Sequence, residues 1–396
     1  MVSIDYFDSE LEKRDMYLCL QDTAVMRFSA GKSICEVFRE DLLPYGMRGV
    51  VFDCSMTSGD MRQEMTKFGR IRGALISWFS RRVLVLDRKN AKKILNTFGF
   101  SQAQDETTKA GISLKCRGLT LKDDYWVKWE GETIQYSAVD LKHQSLSKVM
   151  TQISLKGASF TIQGRIEPQD IGTQGSYAKS WVREEDGIYL YKAGTRDNGY
   201  ESLVEVSVSN ILDKFNVRHL EYEKLIYEGM VCCKCKCLSS AKQGIVHAEE
   251  VDARFTREGK DLIDWVSRDT RFGNDFHQMN VVDYLVENSD RHGQNWGFYM
   301  SNKTGDLTKL HPLYDHNNAF DSEWLHHTDG GPSLMYQGRS KLEVARNSIR
   351  KCDIQLKGRI RRAEFIKEEH LQIFCERMAK VGIPFKYSRF TGITPT

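Results

Sequence analysis

Residues Asn288-Ser289-Asp290-Arg291-His292-Gly293-Gln294-Asn295-Trp296-Gly297, followed by Leu313-Tyr314-Asp315, decide how this chain reads. The ten-residue piece joins two different patterns. Upstream, Met279, Val282 and Val286 share one helical face. Downstream, Trp296, Phe298 and Met300 alternate as in a strand. Asn288 to Gly293 between them is a polar loop rich in turn formers. A hairpin turn, Asn302-Lys303-Thr304-Gly305-Asp306, leads on to Leu310-His311-Pro312-Leu313-Tyr314-Asp315, where Asp315 is expected to end a strand. A helix-to-strand loop therefore holds an acid, Asp290, and an amide five positions later, Asn295. A second acid follows at a strand end.

That set suits phosphoryl transfer from a nucleotide. A carboxylate orients and deprotonates the acceptor hydroxyl, while an amide oxygen and a second carboxylate hold Mg²⁺ against the phosphates. A lysine clamped by a glutamate holds the phosphates. Protein kinases space the first two groups as Asp and Asn five apart, in H-R-D-x-x-x-x-N. Asp-x-x-x-x-Asn alone is weak evidence, so the upstream residues matter. Phe160-Thr161-Ile162 precedes a glycine-spaced stretch from Gly164 to Gly175. Trp181-Val182 follows, then a turn at Glu184-Glu185-Asp186-Gly187 and a strand from Ile188 to Gly194. Ile188, Leu190 and Lys192 share one face of that strand. A lysine there either snorkels to water or meets an anion, because an unpaired buried ammonium is costly. Val204, Val208, Ile211 and Phe215 then form a helical stripe, with Asp197 or Asn198 as the expected cap. Val204 to Val208 also alternates, but the three-turn stripe favours helix. Glu201 and Glu205 stack on one side of it.

Cys232, Cys233, Cys235 and Cys237 lie close together. Structural zinc sites pair cysteines two to four residues apart on a knuckle, with a second pair elsewhere. Alternation instead puts Cys233, Cys235 and Cys237 on one strand face, and packing is the expectation.

The rest of the chain bounds the class. At 396 residues it has room for two or three domains. Fifty-seven basic residues against 54 acidic ones give a mixed surface, without the basic excess of a nucleic-acid-binding domain. The run Gly293 to Asn302 carries no charge and is half the roughly 20 residues a membrane span needs. The first residues lack an apolar signal core, and ten cysteines then read as reduced thiols in the cytoplasm. Tyr17 to Leu20 and Ala24 to Phe28 flank Gln21-Asp22-Thr23 as a hairpin. Trp78 to Phe98 suggests helix, although Val83 to Leu86 could equally be strand. Tyr125 to Trp129 reads as another strand. From Lys341 to Lys367 the chain is basic, with Arg350, Lys351, Lys357, Arg359, Arg361 and Arg362. That run is either a solvated face or a docking surface for an acidic peptide, tRNA or a nucleic-acid-bound partner.

The Asn288 to Gly297 loop followed by Leu313-Tyr314-Asp315 resembles the HipA-like serine/threonine kinases, in which an N-x-D-x-H-x-x-N loop precedes an L-Y-D strand end. The Asp-Arg-His-x-x-Asn core is also similar to that of phosphatidylinositol kinases. More narrowly, Asp124-Tyr125-Trp126 and Gly175-Ser176-Tyr177-Ala178-Lys179-Ser180-Trp181 resemble motifs of bacterial HipA-domain proteins from Firmicutes. The kinase likeness covers about residues 165–390.

The resemblance implies an α+β, bilobal protein-kinase-like fold with an N-terminal accessory α/β domain. Residues 1–160 would be the accessory domain, 161–238 the kinase N-lobe and 239–396 the C-lobe. Lys192 would clamp the phosphates and pair with Glu205, with Glu201, one turn away, as the runner-up. Gly175 and Ser176 would belong to a phosphate loop, with Ser176 a candidate for autophosphorylation. Cys235 to Leu238, including Cys237, would be the hinge that reads adenine. Asp290 would be the catalytic base, Asn295 and Asp315 would bind Mg²⁺, and His292 would brace the loop. ATP and Mg²⁺ are the implied cofactors, and a protein or peptide the implied substrate. A regulatory partner protein fits the family, and no direct contact with DNA or membrane is expected. His316 follows Asp315, so the D-F-G pattern and its phenylalanine flip are missing. A silent kinase-fold binding module stays open as an alternative, as does another nucleotide-dependent transfer such as adenylylation or small-molecule or lipid phosphorylation.

Overall fold

A computed structural model describes residues 6–51, 60–97, 105–158, 172, 176–194, 196, 198–388 and 391–396. Phe160 to Ile162, Gly175 and nearly all of the glycine-spaced stretch lie outside the described residues, as does Asp197. Helices and antiparallel sheets are mixed along the chain. Two compact units are formed. One comprises Met1–Leu190, Cys237–Val246 and Met300–Leu307, and the other Tyr191–Lys236, His247–Tyr299 and Thr308–Thr396.

The first unit opens with helix α1 (Tyr6–Lys13) and the hairpin of β1 (Met16–Leu20) and β2 (Thr23–Ser29), turned at Gln21 with φ 51°. Met16 pairs with Phe28 and Leu20 with Thr23. Strand β3 (Ile34–Val37) follows. Then come α2 (Met61–Ser80), capped by the Asp60 carboxylate, α3 (Ala91–Thr97), α4 (Glu106–Lys115), β4 (Tyr125–Trp129) and α5 (Lys148–Lys156). The sheet order is β3-β2-β1-β4. Strands β5 (Ala178–Glu184) and β6 (Gly187–Ala193) form the hairpin expected around Asp186.

One stretch departs from its reading. Trp78 to Thr97 is neither one helix nor helix and strand, with Phe98 outside the described residues: α2 ends at Ser80, turns follow, and α3 starts at Ala91. Tertiary contacts override the periodicity here. Val83 and Leu84 are buried in a cluster with Ile94, Leu95, Ile112, Met150 and Ile153. The buried Arg82 guanidinium turns the chain onto Gly118 O (2.6 Å) and both carboxylate oxygens of Asp123 (2.8 and 2.5 Å).

The second unit contains α6 (Tyr200–Leu212) and the antiparallel pair β7 (Tyr222–Tyr227) and β8 (Met230–Lys236), with Tyr222 opposite Cys235. Along the chain come β9 (Gln243–His247), α7 (Ala248–Arg257), α8 (Leu262–Arg268), α9 (Gly273–Leu285), β10 (Gly297–Ser301) and β11 (Leu307–Leu310). The last elements are α10 (Lys341–Ser348), α11 (Glu368–Val381), β12 (Lys386–Ser388) and β13 (Gly392–Thr394). Val204, Val208, Ile211 and Phe215 are buried. Cys232, Cys233 and Cys235 are buried on β8, and among the described residues no three His, Cys, Asp or Glu side chains converge on a metal position.

Three details differ from expectation. The cap of α6 is Gly199 at φ 81°, with no side-chain cap, rather than Asn198 or Asp197. A Cβ on Gly199 would stand 2.7 Å from Val231 O, so this close approach requires glycine. β10 does not alternate between core and water, because Phe298, Tyr299 and Met300 are all buried. Asp315 does not end a strand. Beyond β11, Leu313 makes only an isolated parallel bridge to His219; Pro312 has no N–H to continue a ladder, and Asp315 itself is left-handed at φ 61°.

Candidate active site

The residues that gather in the second unit come from four places: the end of β6, helix α6, the loop between α9 and β10, and the turn at Asp315. Lys192 is where the site begins. Its ammonium is buried and donates to Glu205 Oε1 at 2.6 Å, Asp315 Oδ1 at 2.9 Å and the Tyr222 hydroxyl at 3.2 Å. Burial alone would lower its pKa, but the two carboxylates reverse that and hold Lys192 well above its ordinary value. Burial raises the Glu205 carboxyl, with Lys192 opposing. The ammonium also faces the Tyr222 ring, 5.1 Å from its centre. Burial pushes the neighbouring Cys235 thiol to about 12, so it stays protonated.

Glu205, and not Glu201, meets Lys192. Glu201 points the other way, to Arg196 Nε at 2.9 Å and to the Arg196 backbone N–H at 3.2 Å. Both glutamates are buried on α6.

The loop after α9 is held by Arg291, which the sequence reading quoted but did not assign. Its five N–H donors are all used. Nε and one Nη2 proton go to Asp283 (3.0 and 2.9 Å), and the other Nη2 proton to His316 Nε2 (3.0 Å). The two Nη1 protons go to Asn295 O (2.5 Å) and Tyr314 O (2.9 Å). One guanidinium thus ties the Asp290–Asn295 loop to the residue before Asp315. Asn288 reinforces it, donating to Asp283 Oδ1 at 3.0 Å and accepting the Asp290 N–H at 3.2 Å. His316 is a hydrogen-bond acceptor only while neutral. Burial, then the Arg291 charge, keep its pKa well below the ordinary value.

Asp290 is held loosely. Its side chain is 41% exposed. Asn318 donates to Oδ2 at 3.3 Å, and His292 Nε2 lies 3.7 Å from Oδ1. Partial burial raises its pKa; the nearby His292 opposes this and Asp315 adds to it. Asn295 donates its amide N–H to Asp290 O at 2.7 Å, which turns its Oδ1 the other way.

The donor set fits Mg²⁺. This ion takes one or two carboxylates or amide oxygens and completes its shell with water and phosphate oxygens, so it needs no cage of protein ligands. Asn295 Oδ1 and the Asp315 carboxylate are hard oxygen donors of that kind.

The other expected residues lie elsewhere. Ser176 is exposed in the first unit, and its carbonyl accepts from Lys89 N at 2.9 Å. Cys235 belongs to the second unit and Cys237 to the first, where its N–H donates to Ile188 O at 2.8 Å. The basic run is not one face: Lys341 is buried on Glu287 (2.5 Å) and Gly330 O (3.0 Å), while Arg350, Lys351, Lys357, Arg359 and Arg361 are exposed. Tyr222, Arg291 and Asn318 escaped the sequence reading as site residues. For Arg291 a signal existed, its place between Asp290 and His292 in the quoted loop. Tyr222 and Asn318 carry none.

No family model matches this chain, and no curated protein does. Among solved structures, the Helicobacter pylori proinflammatory kinase CtkA is similar over 52% of this chain and 89% of its own, at 13% identity and a TM-score of 0.40. HipA of Shewanella oneidensis MR-1, solved in a toxin–antitoxin complex with HipB and operator DNA, is similar over 92% of this chain and 95% of its own. The identity there is 12% and the TM-score 0.47. The structural neighbours of this mixed α/β chain thus include HipA and the kinase CtkA.

Proposed function

We propose that this chain is an ATP- and Mg²⁺-dependent kinase that transfers the γ-phosphate to a Ser or Thr hydroxyl of a protein or peptide. One observation carries the reading. Lys192 is locked between Glu205 and Asp315, and Arg291 holds Asp290 and Asn295 in register with that same Asp315. A structural core has little reason to converge a buried lysine, two acids and an exposed acid on one turn.

ATP with Mg²⁺ supplies the phosphoryl group and neutralises charge on its oxygens. With nucleotide bound, Lys192 would exchange its contacts with Asp315 and the Tyr222 hydroxyl for phosphate oxygens, while Glu205 keeps its ammonium in place. Asn295 Oδ1 and Asp315 hold the metal. Asp290 accepts a hydrogen bond from the acceptor hydroxyl, orients it, and takes its proton. Its raised pKa makes it a stronger base than an ordinary carboxylate. Its exposure leaves room for a protein or peptide acceptor. We assign residues 1–160 as an accessory domain, 161–238 as N-lobe and 239–396 as C-lobe, with Ser176 the first candidate for self-modification.

Intact-mass spectrometry after incubation with ATP and Mg²⁺ and a peptide mixture tests the reading, wild type beside Asp290→Ala. Phosphate added only with the wild type is expected. AMP added instead would replace the reading with adenylylation. Nucleotide binding with no turnover on any acceptor would replace it with a binding module.

A further inference from the structure

Glu201 and Glu205 stand one turn apart on the same side of α6, and both are tied to the segment that starts at Asp315. Glu205 reaches Asp315 through Lys192. Glu201 reaches Asp321 through Arg196, whose guanidinium pairs with both carboxylates. The connections close a ring: Asp315, Lys192, Glu205, one turn of α6, Glu201, Arg196, Asp321, and six residues of chain back to Asp315. That chain is itself pinned. Phe320 is buried, donates its N–H to Val286 O at 2.9 Å, and stacks on His370 with ring centres 4.9 Å apart. Arg196 also lies over the Tyr200 ring at 5.2 Å, at the start of α6. Gly194 leaves space for the return of Glu201, since a Cβ there would stand 2.8 Å from Glu201 Oε2.

We propose that Arg196 and Asp321 are positioning residues that hold helix α6 at its first turn, so that Glu205 stays on Lys192. The buried face of α6 and the Ser202 hydroxyl on Lys192 O (3.0 Å) already seat the helix; the Arg196 contact adds a restraint at its first turn, one turn from Glu205. The side chains of Arg196 and Asp321 are 46% and 35% exposed, so the pair is a modest restraint rather than a source of global stability. The catalytic meaning of the clamp rests on the kinase reading; its mechanical part does not.

Hydrogen–deuterium exchange of the full chain, followed on peptides spanning residues 200–212, tests it. In Arg196→Ala and in Asp321→Ala, α6 amides should exchange roughly fivefold faster, the scale of one exposed ion pair. Peptides from α9 should not change, and Asp321→Glu should restore protection. In the kinetic assay the same Ala variants should raise KM for ATP by a similar factor. Unchanged exchange in both Ala variants would overturn the clamp, and so would equal loosening of α6 and α9. If the wild type transfers no phosphate, the kinase reading falls while the exchange result still decides the clamp. If the wild type is active and the Ala variants match it in exchange and KM, the clamp falls alone.

Discussion

Asp124 in the first unit is 1% exposed and takes hydrogen bonds from Gln21 (2.7 Å), Asn302 (2.8 Å) and the Tyr136 hydroxyl (2.9 Å), besides an ion pair with Lys142. Asp290 in the second unit is 41% exposed and receives one amide at 3.3 Å, with a histidine at 3.7 Å. Short motifs single out both aspartates, and only their surroundings separate them. A carboxylate whose lone pairs are filled by fixed donors binds segments together, here the β1–β2 turn, the Tyr136 and Lys142 loop and the β10–β11 turn. A carboxylate left partly open is available to a proton from outside. Asp124-Tyr125-Trp126 is accordingly a bolt. Tyr125 donates to Leu42 O and Trp126 to Gln21 O, both at 2.6 Å.

The contrast is broken most sharply by two substitutions. Asp290→Ala should cut turnover roughly 10²–10⁴-fold, the usual span for a general base. Nucleotide affinity and the urea midpoint should stay near wild type. A loss of fold in that variant would place Asp290 with Asp124. Asp124→Ala should do the opposite. It leaves the half-buried Lys142 ammonium without its carboxylate and removes an acceptor shared by Gln21, Asn302 and Tyr136, and urea unfolding should show roughly 2–3 kcal/mol of lost stability. Turnover per folded molecule should be unchanged at low temperature. Retained stability would show that the bolt is redundant.

Smaller effects refine the comparison. His311 and His370 are held down at about 4 by burial, and burial with Arg291 keeps His316 well below its ordinary value. In the folded chain these three stay neutral where the unfolded chain binds protons. Their contribution is whole above about pH 6.5 and is lost as pH falls toward 4, by up to about 1.4 kcal/mol per pH unit for each histidine. Thermal unfolding between pH 7 and 4.5 measures the slope, and a flat profile would contradict it. Asn318→Ala removes the one amide on Asp290, which lowers that carboxyl's pKa. The acid limb of the rate profile should therefore move up by a few tenths of a pH unit, with little change in the plateau.

Much of this was legible from residue order. Period two put Lys192 on the buried face of β6, and a 3.6-residue period put Glu201 and Glu205 together on α6. The five-residue spacing placed Asp290 and Asn295 in one loop. The reading failed where burial comes from distant parts of the chain. Val83, Leu86, Ile94 and Leu95 have near-helical spacing, yet what they share is one core between helices. Pro312 and the left-handed Asp315 interrupt a stretch whose residue types suggest a strand.

The sequence by itself determined the chemical inventory and the local directions of its side chains, because helix and strand periods act over a few residues. The tertiary structure seated Glu205, the expected partner, on Lys192, sent Glu201 to Arg196, and brought Asp315, 123 residues along the chain, to the same ammonium. It also brought Tyr222 to that ammonium, shared five protons of Arg291 among four neighbours, and left Asp290 open while saturating Asp124. Such contacts depend on how distant segments pack, and no local period encodes which of two equivalent carboxylates will face a given lysine.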